Sequence, residues 1–254
     1  MTNPESKKLN KEEWEEAASI YKTPHIRKEY IRKPAFMHEL GDIHGKRMLD
    51  IGCGDGYYSR LMAEAGADVV GVDFSQEFIN LAKKQEQKQP QGIHYFHGDI
   101  ASMDFLPAGE VDGAVADFVF VTIPTQEKYV QAIKEVSRVL KQDGTVLISK
   151  GHPAKFNRPD KSKDYSLSYD KEPSYFDSLT PQHVKMNIEG EPVEWTNYHR
   201  SLEDFLNPWL ENGFVITRVI EPKPTEEALK KFPEQLEGTD KLPYYVVFEL
   251  KKTG

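Results

Sequence analysis

The fold is constrained most by nine residues, Met48-Leu49-Asp50-Ile51-Gly52-Cys53-Gly54-Asp55-Gly56. A short apolar run leads straight into three glycines on alternate positions, and a helix-compatible segment follows from Tyr57. This order predicts a buried strand, a tight turn and a helix. Glycines let the backbone turn sharply and approach a ligand closely, because no Cβ intervenes. The first N–H groups of the helix have no partners within it and point back at the turn. Asp50 and Asp55 flank the glycines, where a diphosphate would be repelled. A ligand with a cationic head and ribose hydroxyls suits the loop better. A strand-to-helix turn that binds nothing is the plain alternative, so the rest of the chain has to decide.

Taken in order, the chain alternates strands and helices. Residues 1–10 are expected to fray, and a helix is expected from Lys11, with Asn10 and Glu13 as a capping pair. Shorter helices follow over 26–31 and 35–40. Strands are expected at 46–51, 68–73, 93–97, 111–118 and 145–149, with helices at 57–65, 75–87 and 127–140 between them. Val69, Val70 and Val72 make the second strand almost continuously apolar, as a strand covered on both faces should be. Asp73 ends it, and a carboxylate there can accept from both hydroxyls of a ribose lying on the glycine loop. Asp99 ends the third strand in Gly98-Asp99-Ile100, and Asp117 lies at the end of the fourth. The rhythm stops after residue 150. A polar loop with Lys155, Arg158, Lys161 and Lys163, offset by Asp160 and Asp164, leads to a hairpin over 184–199. A helix begins after Ser201, and strands at 214–220 and 244–250 flank a last helix at 226–232.

Composition closes off several functions. The chain has 254 residues, 29% charged, with formal charge −8, so nothing favours broad binding to nucleic acid phosphates. Its one cysteine, Cys53, excludes an intramolecular disulfide and fits a reducing compartment. A small residue filling a tight turn explains Cys53 better than a catalytic thiol. Residues 1–11 are polar, with no apolar core of a signal peptide, and no apolar run approaches a membrane span. The expectation is a cytoplasmic protein with no membrane partner and no metal. Oligomeric state is open.

These features together resemble the class I S-adenosylmethionine-dependent methyltransferases, in their small-molecule branch (methyltransferase-11/25-like). The resemblance rests on Leu49 to Gly56, Val70-Gly71-Val72-Asp73-Phe74-Ser75, Gly98-Asp99-Ile100, and Arg138-Val139-Leu140-Lys141-Gln142-Asp143-Gly144, in that order. It covers roughly 40–150 and 200–250. It implies an α/β, Rossmann-like seven-stranded sheet of order 3-2-1-4-5-7-6, with strand seven antiparallel and helices on both faces. To this core are added an N-terminal helical flap over 1–40 and, within the domain 41–254, a lid insertion over 151–200 after strand five. It also implies S-adenosylmethionine as cofactor, leaving S-adenosylhomocysteine as product, and a small-molecule acceptor methylated on O, N or C. By resemblance, Asp50, Gly52, Cys53, Gly54 and Gly56 hold the methionine moiety. Asp73 takes the ribose, Phe74 packs on adenine, Asp99 and Ile100 meet its edge, and Asp117 marks a contact to the methionine amine.

Methyl transfer from a sulfonium is an in-line displacement, so placement and a dry pocket supply much of the catalysis. A base is needed only for an acceptor that arrives protonated. His152, directly after strand five, is the candidate; His183 and His199 in the insertion come next, and Tyr21 and Tyr30 in the flap are candidate substrate contacts. Each also reads as an ordinary structural or surface residue. The region after strand four, Asp117-Phe118-Val119-Phe120, lacks the prolines of base-amino methylases, and no Pro-Cys pair supports cytosine C5 chemistry. Two rivals stay open: a cofactor-binding protein without transfer activity, and a nicotinamide-dependent oxidoreductase. The latter would place the third glycine one residue later.

Overall fold

A computed structural model of the chain describes residues 4–20, 25–156, 165–188 and 190–254. Tyr21 and the charged residues between 157 and 164 lie outside them. The central strands are β1 (Arg47–Ile51), β2 (Asp68–Asp73), β3 (His94–His97), β4 (Val111–Ala116) and β5 (Leu140–Gly151). They are parallel to one another. Late in the chain β9 (Phe214–Ile220) and β10 (Tyr245–Lys252) complete the sheet, β10 antiparallel to both β5 and β9. The seven-stranded order is β3-β2-β1-β4-β5-β10-β9, which is 3-2-1-4-5-7-6 when strands of the insertion are left out of the numbering. The expected sheet is the observed one. Its inner strands are buried along almost their whole length, as parallel strands covered by helices must be.

The covering helices are α3 (Tyr57–Glu64), α4 (Gln76–Lys88), α5 (Gln126–Val139) and α6 (Leu202–Glu211). Each buries a stripe of apolar residues at helical spacing. On α5 the stripe is Tyr129, Ala132, Ile133, Val136 and Val139. Side-chain caps fix where helices begin: Ser75 accepts from the Phe78 N–H, Thr125 from Lys128 and Ser201 from Asp204. Because α4 and α5 begin directly after β2 and after the loop that follows β4, these caps hold their N-termini near the carboxyl edge of the sheet. A small helix, α7 (Glu226–Lys231), lies between β9 and β10.

Two additions stand against that edge. The leader forms α1 (Pro4–Ile20), one turn of π-helix over Lys28–Arg32, and α2 (Lys33–Leu40). The insertion forms a second, antiparallel sheet of β6 (Tyr165–Ser168), β7 (Pro181–Ile188) and β8 (Glu191–Tyr198). Its apolar side, Val184, Met186, Ile188, Val193 and Trp195, is buried against Ala17, Trp14 and Ile20 of α1.

Three expectations are corrected by the structure. The first helix begins at Pro4, so Asn10 lies within it and not at its start, and Glu13 accepts from the Thr196 N–H (2.9 Å) and hydroxyl (3.0 Å). β5 is far longer than five residues, because it stays paired through an irregular stretch at Asp143, where φ is +63°. β6 adds a strand to the expected hairpin, with Leu167 opposite Val184.

Glu15 shows how the leader is tied down. Its carboxylate accepts from the Ser75 hydroxyl (2.8 Å) and from the N–H groups of Gln76 (2.9 Å) and Glu77 (3.0 Å). It thereby serves as a cap for α4 supplied by another helix. We expect Glu15→Ala to lower unfolding free energy by about 1–2 kcal/mol, read from the urea midpoint. An unchanged midpoint would mean that water replaces this cap without cost.

Candidate active site

The three loop glycines all have positive φ, +62° at Gly52, +55° at Gly54 and +81° at Gly56. Their reasons differ. A Cβ on Gly52 would come 2.5 Å from the Val119 side chain, and one on Gly56 would overlap the Tyr95 hydroxyl, whereas Gly54 faces space bounded only by Phe78 at 3.8 Å. Gly54 is therefore the position where the backbone is open to a ligand. Its N–H donates to Asp73 Oδ2, and the Ser75 N–H donates to Asp73 Oδ1, both at 2.9 Å. Each Asp73 oxygen keeps lone pairs for further donors. Such a carboxylate fits a ribose with two hydroxyls to donate.

A cavity of about 390 Å³ opens over this loop. Gly52, Cys53, Gly54, Asp73, Phe74, Asp99, Ile100 and Asp117 all line it. Asp50 and Gly56 do not. Asp50 is 2% exposed and turns to α3, accepting from the Ser59 hydroxyl at 2.6 Å. Burial pushes its carboxyl up to about 7, against the Ser59 hydrogen bond and the Lys28 charge. Burial also pushes Asp73 up to about 6, against its two backbone donors. Cys53 is buried, and burial next to Asp50 and Asp73 holds its thiol well above the ordinary value, so it is a filler of the turn and no nucleophile. At the far rim the Asp99 carboxylate meets Lys128 (2.6 Å) and the Ala101 N–H (3.0 Å).

The other walls come from the two additions. Lys11, Trp14, His25, Lys28 and Arg32 of the leader reach the cavity, as do Tyr165, Met186, Trp195 and Asn197 of the insertion. Trp14 lies between Phe78 of α4 (6.2 Å between ring centres) and Trp195 of β8 (5.3 Å). Arg32 enters as a buried partner for Asp117, with Nε 2.9 Å from Oδ1, and the Ser149 hydroxyl donates to the same oxygen at 2.7 Å. Burial alone would raise the Asp117 carboxyl; Arg32 and Lys28 more than reverse this and hold it below the usual aspartate range.

The histidines fall elsewhere than the sequence suggests. His152 and His199 line a second, smaller cavity and not this one. His152 is held at both nitrogens: Nδ1 accepts from the Ala154 N–H (3.0 Å), and Nε2 lies 2.9 Å from Glu221. His199 Nε2 bonds the Tyr175 carbonyl at 2.8 Å. His183 sits on the outer side of β7 beside Asp170, 2.9 Å away. Tyr30 packs on Phe232 of the region after α7, with ring centres 4.9 Å apart, away from the cavity. Two histidines do line it: His97, at the end of β3, whose Nε2 lies 3.1 Å from the Phe74 carbonyl oxygen, and His25, which burial and the charges of Arg32, Lys28 and Arg27 hold well below the ordinary value. Sequence reasoning does not single out His25, Lys28 or Arg32, since cations in a polar leader carry no periodic signal.

Comparison with known proteins decides the family. The profile described as "Methyltransferase domain" matches residues 49–148. A crystal structure of a putative S-adenosylmethionine-dependent methyltransferase from Listeria monocytogenes superposes with a TM-score of 0.65 and 25% identity, covering 87% of this chain and 96% of that one. Residues 49–148 form a methyltransferase domain, and the matched profile and fold together support a class I S-adenosylmethionine-dependent methyltransferase. Its cofactor is S-adenosylmethionine. Among curated relatives, an uncharacterized protein of Haemophilus influenzae is 27% identical over 208 residues, which is 76% of this chain and 77% of that one. A ubiquinone biosynthesis O-methyltransferase of Bordetella avium is 28% identical over 140 residues, which is 54% of this chain and about half, 55%, of the relative. Among the described residues no helix of this methyltransferase is long and apolar enough to cross a membrane, and no cluster of His, Cys, Asp and Glu could hold a metal ion.

The raised aspartates give the methyltransferase a pH signature. A carboxyl with a folded-state value above its unfolded one favours the protonated fold. Its contribution to stability is complete below the ordinary value of 3.8 and is lost as pH rises through about 7 for Asp50 and about 6 for Asp73. We expect the melting temperature of the ligand-free protein to fall across this window, and Asp50→Asn to flatten the upper part of the fall. A slope unaltered by Asp50→Asn would show that Asp50 does not titrate there.

Proposed function

We propose that this methyltransferase transfers the cofactor's methyl group to an O, N or C atom of a small molecule held in the 390 Å³ cavity. The observation that carries the reading is that one cavity is lined on one side by the glycine loop, Asp73 and Asp99, and on the other by the leader and insertion. The volume lies in the range of small-molecule sites. The bound cofactor supplies an electrophilic methyl on a sulfonium, and the chain supplies placement. Asp73 takes the ribose hydroxyls, with Gly54 giving the approach. Phe74 and Ile100 flank the adenine, and Asp99 accepts from its amino group. The end of β4 at Asp117 faces the methionine end, with Asp50 behind the loop. Trp14, Trp195 and Tyr165 roof the site and exclude water from the reacting atoms.

The chain's histidines are ill suited to remove a proton from the acceptor. His152 is engaged by Glu221 and Ala154, His97 by the Phe74 carbonyl at the adenine side, and His25 is made a weak base by burial and its cationic neighbours. The reading is therefore an acceptor whose nucleophilic atom arrives without its proton. The name of the Bordetella relative puts O-methylation among the candidate reactions, and the aromatic walls favour a flat acceptor. Incubation with S-adenosylmethionine and a metabolite panel, read by a mass gain of one methyl, tests the function. A gain on none, with the cofactor bound, would leave the cofactor-binding protein without transfer activity.

Asp73→Ala is expected to weaken binding of S-adenosylhomocysteine by about 1–3 kcal/mol, because two charge-assisted hydrogen bonds are lost. Calorimetry measures it directly. An unchanged affinity in a folded variant would remove the ribose assignment.

A further inference from the structure

The second cavity, about 100 Å³, lies between the insertion and the carboxyl end of β5. Phe118, Tyr165, Asn197 and Tyr245 line both it and the larger cavity, so the two are neighbours across a thin partition. Its lining includes Lys150 and Arg200, and among the described residues no aspartate or glutamate.

Both cations are deeply buried, Lys150 at 6% exposure and Arg200 at 1%. Arg200 spends its donors on main-chain oxygens, Phe120 at 3.3 Å and Ile123 at 2.8 Å among them. Lys150 makes one hydrogen bond, to the Arg200 carbonyl at 2.6 Å, and its ammonium lies 4.6 Å from the centre of the Phe205 ring, which leaves a donor to spare. The carboxylate that influences them both, Asp204, is engaged by the hydroxyls of Ser178 and Ser201. Buried charge is costly unless it is paired, and here two positive charges stand side by side with no ion pair among the described residues. Burial and Arg200 lower the Lys150 ammonium to about 7, the response expected of a cation lacking its counter-ion. A separate observation comes from the partition. The Asn197 side chain is 6% exposed, and its Oδ1 is fully buried with no donor. Unsatisfied buried carbonyls are uncommon, and this one belongs to a residue that lines both cavities, within reach of a donor on a ligand.

We propose that the smaller cavity seats a carboxylate of the methyl acceptor, with Lys150 as its counter-charge and the Asn197 amide orienting the remainder toward the larger cavity. The acceptor is thus a small aromatic or otherwise flat acid. This rests on the acceptor occupying the larger cavity, as argued above. The volume admits a carboxylate and its attachment but not a whole drug-sized ligand, so the reacting atom is left on the cofactor side of Phe118.

Calorimetry on the full chain saturated with S-adenosylhomocysteine tests the inference, with benzoate and its neutral isostere benzamide as probes. Benzoate should bind at least tenfold more tightly than benzamide. Lys150→Met should reduce benzoate affinity at least tenfold and leave the affinity for S-adenosylhomocysteine unchanged. Equal binding of the two probes, binding of neither, or an unaltered benzoate affinity in Lys150→Met would overturn it. Where Lys150→Met does not fold, the ratio between the two probes on the parent protein decides alone. Failure of S-adenosylhomocysteine to bind would count against the cofactor assignments instead, and the same pair of titrations on the ligand-free protein would still decide this one.

Discussion

The arrangement depends on the buried pair between Arg32 and Asp117. Asp117 comes just past the end of β4, where the sheet presents its carboxyl edge, and Arg32 comes 85 residues earlier from the leader. The guanidinium lies between the Phe118 and Tyr245 rings, 4.9 and 4.7 Å from their centres, so its faces are covered by aromatic carbon while its edge meets the carboxylate. Taking two charges out of water is expensive, and the pair holds only because both Asp117 oxygens are bonded and Ser149 adds a third donor. Arg32 alone would be a stranded charge at a cost of about 3–5 kcal/mol, whereas Asp117 alone would keep Lys28, with Nζ 3.9 Å from Oδ2. The leader is therefore fixed to the strand that ends beside the larger cavity. Phe118 follows with φ +64°, a conformation costly for a bulky residue, and its N–H donates to the same Ser149 hydroxyl at 3.0 Å. That backbone twist turns the Phe118 ring into the partition between the two cavities.

The leader and insertion depend on each other in the same way. The three-stranded sheet and α1 bury their apolar sides against each other. Glutamates two residues apart then fix α1 in both directions, Glu13 to β8 and Glu15 to α4. Since α4 begins immediately after Asp73, a displacement of α1 would strip a cap from the helix that also shapes the candidate ribose site. The roof over the larger cavity and the start of α4 are thereby coupled through one helix.

What is legible in the sequence follows from what local chemistry can encode. Strand order is accessible because β1, β2 and β4 are apolar on both faces and alternate with amphipathic helices, and a right-handed crossover leaves few arrangements. Asp73, Asp99 and the glycines are accessible because a tight turn and a carboxylate at a strand end are local features. The place of Asp50 in the loop points to the cofactor, yet alternation along β1 turns its side chain to Ser59. Arg32, Lys150 and Arg200 are invisible for the opposite reason. Their partners lie tens of residues away, and a cation in a polar stretch looks solvated until the fold buries it. His152 stands out by its place after β5, but its neighbour Glu221, at the end of β9, takes up the imidazole.

Charge is divided across the site, although the whole chain carries −8. Asp50, Asp55 and Asp73 gather at the glycine loop, the proposed seat of a cofactor with a sulfonium and an ammonium. Lys150 and Arg200 gather behind Phe118, on the side of the proposed acceptor. Attack of an anionic nucleophile on a sulfonium destroys charge, so the transition state is less solvated by water than the separated reactants are. A water-poor pocket therefore favours that step, provided each reactant is first drawn in by fixed charge of opposite sign. On the proposed reading, a division of acid on one side and base on the other does this. The unmet charge at Lys150 and the unmet carbonyl at Asn197 are then two parts of one requirement, a site that is complete only when the acceptor's acid group and donor are in it.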